Sequence, residues 1–112
     1  MLKIKGCIIG NDINIILSFK SKLMAGSVEV DDFIKGDLPN EMLLANILKV
    51  NYHFVILALN KRDNLEISRY LIKENIKIFV ITENEEVRGA YNFLLNKFNV
   101  DEIIYKIIKL LK

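Results

Sequence analysis

Six apolar residues stand together at Phe54-Val55-Ile56-Leu57-Ala58-Leu59, with no charge among them. A strand with one wet face alternates apolar and polar residues. A continuous run this short fits instead a strand covered on both faces, as in a parallel sheet between two helical layers. The rest of the chain has the rhythm such a sheet needs. Ile4 to Ile9 reads as a first strand ending at Gly10-Asn11-Asp12. Asp12 is placed to cap a helix whose apolar positions Ile13, Ile16, Leu17, Leu23 and Met24 recur at helical spacing, and Ala25-Gly26-Ser27 stops it. Val28-Glu29-Val30 opens a second strand, alternating and therefore suited to an edge. Gly36 to Asn40 is loop, with Pro39 well placed just before a helix from Glu41 to Leu48. A third helix is expected from Leu65 to Asn75, and a fourth strand over Ile78-Phe79-Val80-Ile81. Asn99 and Glu102 have the spacing of a helix cap. Val100, Ile103, Ile104, Ile107, Ile108 and Leu111 then mark one face of a last helix. Strands separated by helices of this length imply right-handed crossovers and a parallel sheet with helices on both sides. Ligands of such sheets bind beyond the carboxyl ends of the strands.

Composition bounds the function classes. The 112 residues, 52% hydrophobic and 27% charged, make one domain over residues 1–112. Sixteen basic against 14 acidic residues leave a net charge of +2, and the lysines form no run. Arg62, Arg69 and Arg88 are the only arginines, few for a surface that reads phosphates or bases, so direct nucleic-acid binding is not expected. No apolar run approaches the roughly 20 residues that span a bilayer. No signal-peptide core follows Met1-Leu2-Lys3. The expectation is a cytoplasmic protein with no membrane contact. Cys7 is the single cysteine, which excludes an intrachain disulfide. It reads as a small buried hydrophobe, and His53, the single histidine, as a structural residue at the start of the third strand. The Glu83-Asn84-Glu85-Glu86 run has no metal-ligand spacing and reads as solvated loop.

Several segments carry a resemblance. Gly89-Ala90-Tyr91-Asn92-Phe93-Leu94-Leu95-Asn96-Lys97-Phe98 is similar to the Gly-Ala-Asp-Asp-Tyr-Leu-Leu-Lys-Pro-Phe segment of response-regulator receivers. His53 to Asn60 resembles the family's phosphoacceptor strand, Asp-Leu-Val-Ile-Leu-Asp-Ile-Asn. Ile78 to Thr82 resembles its fourth strand, and Asn64-Leu65-Glu66-Ile67 the start of its third helix. The resemblance implies a flavodoxin-like, doubly wound α/β fold with a five-stranded parallel sheet in the order 2-1-3-4-5. It also implies a signalling protein of the two-component type, and the Ile-, Lys- and Asn-rich usage suggests a bacterial one.

A working receiver carries an acidic pair that holds Mg²⁺, a nucleophilic aspartate, a Thr or Ser, a lysine and an aromatic switch residue. Here Gly10 and Asn11 stand at the acidic pair, with Asp12 one residue beyond. Ala58 stands at the phosphoacceptor, and a methyl group cannot attack phosphorus. Asn96 replaces the lysine and Lys97 the proline after it, so that peptide bond is expected to be trans. Only Thr82 and Phe93 match. The chain therefore reads as a degenerate receiver, a pseudo-receiver that is not an enzyme and needs no cofactor or metal. The resemblance casts it as a phosphorylation-independent signalling domain that binds a protein partner or a second copy of itself. The alternative is a small-ligand sensor built on the altered pocket of Gly10, Asn11, Asp12, Ala58, Thr82 and Asn96.

Only six residues separate Thr82 from Gly89, where the family has its fourth helix. That helix should be missing or reduced to a turn, because six residues cannot hold a helix and two loops. Its loss is expected to bare apolar surface near Val80, Val87 and Tyr91, a candidate interface.

Overall fold

The computed structural model describes residues 3–83 and 87–112 and places the apolar run at the centre of a parallel sheet. Strand β3 (Phe54–Ala58) lies between β1 (Lys5–Gly10) and β4 (Lys77–Thr82). The edges are β2 (Glu29–Ile34) beside β1 and β5 (Tyr91–Leu94) beside β4, giving the order β2-β1-β3-β4-β5 with every pair parallel. Alternate side chains feed two cores, as the period of a strand requires. Ile8, Ile56, Phe79, Ile81 and Phe93 pack on one face under α1 (Ile13–Ala25) and α4 (Val100–Leu111). Cys7, Ile9, Val55, Leu57, Ile78 and Val80 pack on the other under α2 (Asn40–Leu48) and α3 (Lys61–Ile72). The expected fold class, strand order included, is the observed one.

The sequence signals for the helix ends have physical counterparts. Asp12 accepts the Asn14 amide at 2.9 Å to start α1. Asn99 accepts the Glu102 amide at 2.9 Å to start α4. The turn after α1 is made by Ser27, whose φ of 65° is left-handed, while Gly26 stays at −88°. Gly6 is required by close approach: a β-carbon there would lie 2.3 Å from the ring of Phe54, its partner across β1 and β3. Helix α3 differs from the expectation. It begins at Lys61, four residues before Leu65, because Asn60 caps it by accepting the Asp63 amide at 2.8 Å. It ends at Ile72, three residues before Asn75, which turns the chain with a φ of 58°.

Among the described residues there are four helices and none lies between β4 and β5. Residues 84–86 of that connection, and with them most of the expected acidic loop, lie outside the described residues. The consequence expected for Val80 and Val87 does not hold. Val80 is wholly buried and Val87 is 5% exposed, both within the core under α2 and α3. The reason is a clasp. The Asn92 side chain accepts the Val87 amide at 2.7 Å and donates to the carbonyls of Val87 and Ala90, each at 2.9 Å. This folds Val87 down over the sheet face that a helix would otherwise cover. Tyr91 is 43% exposed, but it sits on the opposite face, stacked on Phe79 at 5.4 Å. It is paired with Phe79 in register, whereas Val80 is paired with Asn92, so the three residues do not form one patch.

Candidate functional site at the carboxyl edge of the sheet

The carboxyl ends of β3 and β4 open into a cleft of about 330 Å³. Its apolar walls are Ile15, Ala58, Leu59, Ile81 and Leu95, and its polar rim is Asn60, Lys61, Thr82 and Glu83. Ala58 is the last residue of β3 and Thr82 the last of β4, so the parallel register delivers both to one edge. The cleft thus gathers two of the six residues expected at the altered pocket.

The other four have different employment. Gly10 ends β1 and is buried; a β-carbon there would meet Ile16 at 3.2 Å and the Ala58 carbonyl at 3.3 Å. The Asn11 side chain accepts the Gly36 amide at 2.8 Å and so ties the β1 turn to the loop after β2. Asp12 is held as the cap of α1. Asn96 is exposed in the turn after β5, where the Lys97 and Phe98 amides both return to the Leu94 carbonyl. No cis peptide occurs among the described residues, in line with the trans bond expected at Asn96-Lys97.

A polar network lies beside the cleft. Asp63 accepts the Asn40 amide group at 3.0 Å and the Asn60 amide group at 2.9 Å, and Lys35 lies 3.7 Å away. The Lys35 and Asp63 side chains are only 13% and 17% exposed, so their attraction is screened less than a surface pair's. Asp63 is the acid in the first turn of α3, and Asn60 is the cap. The network pins the loop after β2 and the start of α2 against the start of α3. Asp63 does not line the cleft, and each of its carboxylate oxygens accepts one of these bonds.

Mg²⁺ needs oxygen ligands, several of them carboxylate or water. Gly10 has no side chain, Asn11 is bound to the backbone of residue 36, and Asp12 is committed to α1. These residues do not fit the metal pair of a receiver. Among the described residues, no three His, Cys, Asp or Glu side chains gather in a group able to hold a metal ion.

Seven residues of the cleft stand outside the expected set: Ile15, Leu59, Asn60, Lys61, Ile81, Glu83 and Leu95. Lys61 had a readable signal, since Asn60 and Asp63 have the spacing of a cap and its first-turn acid, which starts α3 at Lys61 and brings it over the strand ends. Ile15 and Leu95 had none, because apolar residues near strand ends look alike in sequence.

On the far side of the sheet, the Tyr52 hydroxyl donates to Asp31 at 2.6 Å, beside Cys7. Burial, followed by the nearby charge of Asp31, pushes the Cys7 thiol well above its ordinary range. Burial and the Asp31 hydrogen bond do the same to the Tyr52 phenol. His53 accepts the Lys5 amide at Nδ1, a structural bond at the amino edge.

No protein-family model matches the sequence, and no curated protein does. Solved structures do match. The response regulator TrrA of Thermotoga maritima, determined with Mg²⁺ and BeF, is similar over 97% of this chain and 99% of its own, with a TM-score of 0.73 and 24% identity. The chemotaxis response regulator CheY4 of Vibrio cholerae matches over 99% and 100%, with a TM-score of 0.72 and 16% identity. HP1043, an orphan response regulator of H. pylori, matches over 97% of both chains, with a TM-score of 0.72 and 17% identity. This chain has the receiver fold. The receiver likeness runs the full length of the sheet and both helical layers.

Proposed function

We propose that the chain is a phosphorylation-independent receiver, a cytoplasmic bacterial signalling domain that works by binding protein. The observation that carries the reading is Ala58 at the end of β3, where it lines the cleft with a methyl group at the position the resemblance assigns to the phosphoacceptor. An aspartyl phosphate forms when a carboxylate oxygen attacks phosphorus, with cations neutralising the charge that develops. Ala58 offers no oxygen, Gly10 and Asn11 offer no metal ligands of the right kind, and Asn96 offers no cation. The receiver TrrA has been solved bound to the histidine kinase ThkA, which supports protein partnership as the use of this fold. Among the described residues no helix is long and apolar enough to cross a membrane. One folded unit spanning residues 1–112 is part of the same proposal, as is the absence of catalysis, cofactor and direct nucleic-acid contact.

The test is intact-mass spectrometry after incubation with acetyl phosphate and Mg²⁺. The wild-type chain should gain no phosphoryl group, and neither should Ala58→Asp, because restoring one carboxylate leaves the metal pair and the lysine unrestored. A stoichiometric adduct on the wild type would overturn the reading. An adduct on Ala58→Asp alone would show that other residues still supply the metal and cation sites.

The cleft itself supports a second reading, a small-ligand sensor. A space of about 330 Å³ with five apolar walls and a polar rim is at the lower end of the range that small-molecule sites occupy. A saturable thermal shift with one metabolite, abolished by Ala58→Leu, would favour the sensor over the protein-binding module.

A further inference from the structure

Helix α3 has two flanks, and only one is used. Asp63 faces α2, where it accepts from Asn40. Ile72 lies nine residues later, which at about 100° per residue puts it on the opposite side of the helix. There it meets the loop before β5, since a β-carbon on Gly89 would lie 2.9 Å from Ile72 Cδ1. Leu65, Arg69 and Ile72, spaced i, i+4 and i+7, form a stripe along this second flank. Among the described residues no helix packs on it. Ile72 is 45% exposed and Arg69 is exposed, while Leu65 is half-buried.

Charge is concentrated on the same side. The three arginines of the chain are Arg62 and Arg69 on α3 and Arg88 beside Gly89. Lys73 follows Arg69 by one helical turn. None of these four enters any of the five ion pairs among the described residues. A hollow of about 550 Å³ runs over Arg62, Leu65, Arg69 and Lys73, with Glu66 and Tyr70 also on its wall.

We propose that this flank of α3 docks an acidic amphipathic helix of a partner protein, an inference that rests on the reading of the chain as a protein-binding domain. Apolar positions at i and i+7 match the spacing of anchors on a helix lying alongside. Guanidinium groups on the margin suit carboxylates, which they bind through paired hydrogen bonds. A second copy of the chain does not fit as the occupant. Helix α1 carries Lys20 and Lys22 without an acid, and α2 carries only Glu41. Helix α4 balances Asp101 and Glu102 with Lys106 and Lys109, so no helix of the chain presents an acidic face.

The probe is a synthetic helical peptide with leucines at i, i+3 and i+7 flanked by glutamates, titrated into the ¹⁵N-labelled full chain. Saturable amide shifts should centre on Leu65, Arg69, Ile72 and Gly89. Affinity should fall several-fold as salt is raised through the range that screens surface charge. The same peptide with lysine for every glutamate should not bind. The Arg69→Glu/Arg88→Glu double variant, whose substituted side chains are exposed, should keep the wild-type amide pattern and lose at least tenfold in affinity. Absent or non-saturating shifts, shifts centred elsewhere, or equal binding of the lysine peptide would overturn the proposal. Concentration-dependent shifts of the same residues without peptide would assign the flank to a second copy, and shifts with a duplex oligonucleotide to nucleic acid; either overturns it. A beryllofluoride titration of the same sample separates the two claims. Shifts around Ala58 would sink the phosphorylation-independent reading, while failure of the peptide alone sinks only the groove.

Discussion

Cys7, Tyr52 and Asp31 show how single side chains set a condition on the whole chain. The thiol and the phenol are both buried, and both are held protonated beside a carboxylate. Their ordinary values are 9.0 and 10.0, and folding raises both. Above those values the unfolded chain releases protons that the folded chain keeps. Stability therefore falls as pH rises through this range, and the contribution is fully present below it. Urea unfolding at about pH 8 and about pH 11 should show the loss, and Tyr52→Phe should show a smaller one. An equal loss in the variant would exclude Tyr52 as a source. Residue-scale chemistry was partly legible beforehand. Cys7 reads from the sequence as buried, and Ala58 as part of a central strand, and both are so in the fold. The resemblance sets Asn11 and Asn96 at reacting positions of receivers, with Asp12 one residue beyond, and so groups the three in one pocket. Alignment could not reveal that one is a loop tie, one a helix cap and one an exposed turn residue.

The connection from β4 to β5 is the most informative element. Its shortness was visible in the sequence, and its consequence was not. A missing helix should leave Val80 bare, yet Val87 covers it because the Asn92 side chain makes three hydrogen bonds to the loop backbone. Nothing in the sequence marked Asn92, since an asparagine on an edge strand is as often solvated as engaged. Each bond contributes about 1 kcal/mol net, so Asn92→Ala should destabilise the fold by about 1–3 kcal/mol. Chemical denaturation measures the loss, and hydrogen exchange at the Val87 amide should accelerate more than exchange in β1. Unchanged exchange at Val87 would show that the loop is held by something other than the clasp. The helix starts differ in legibility for a related reason. Caps at Asp12 and Asn99 stood next to clear apolar periods. Asn60 stood before the charged stretch Lys61-Arg62-Asp63, where the period is not yet visible, so the start of α3 was set four residues late.

At the scale of the molecule, the parallel sheet and its two cores follow from the spacing of apolar runs, and the receiver likeness from segments spread along the chain. On the proposed reading, the fold survives where the chemistry has gone. Packing needs only apolar side chains of suitable volume at alternating positions, which β1, β3 and β4 still supply. Phosphoryl transfer needs particular groups near particular strand ends, and on the proposed reading Gly10, Ala58 and Asn96 stand in their places. What the molecule presents instead are an apolar cleft at the carboxyl edge and an arginine-rich flank on α3. The measurement that bears most directly on this account is an amide NMR titration with Mg²⁺ followed by beryllofluoride, the phosphoryl mimic. The account predicts no saturable shifts at Gly10 to Asp12, Ala58 or Thr82 at any excess of either reagent. Saturable shifts at those residues would contradict it, and would show that the carboxyl edge still assembles a phosphoryl site.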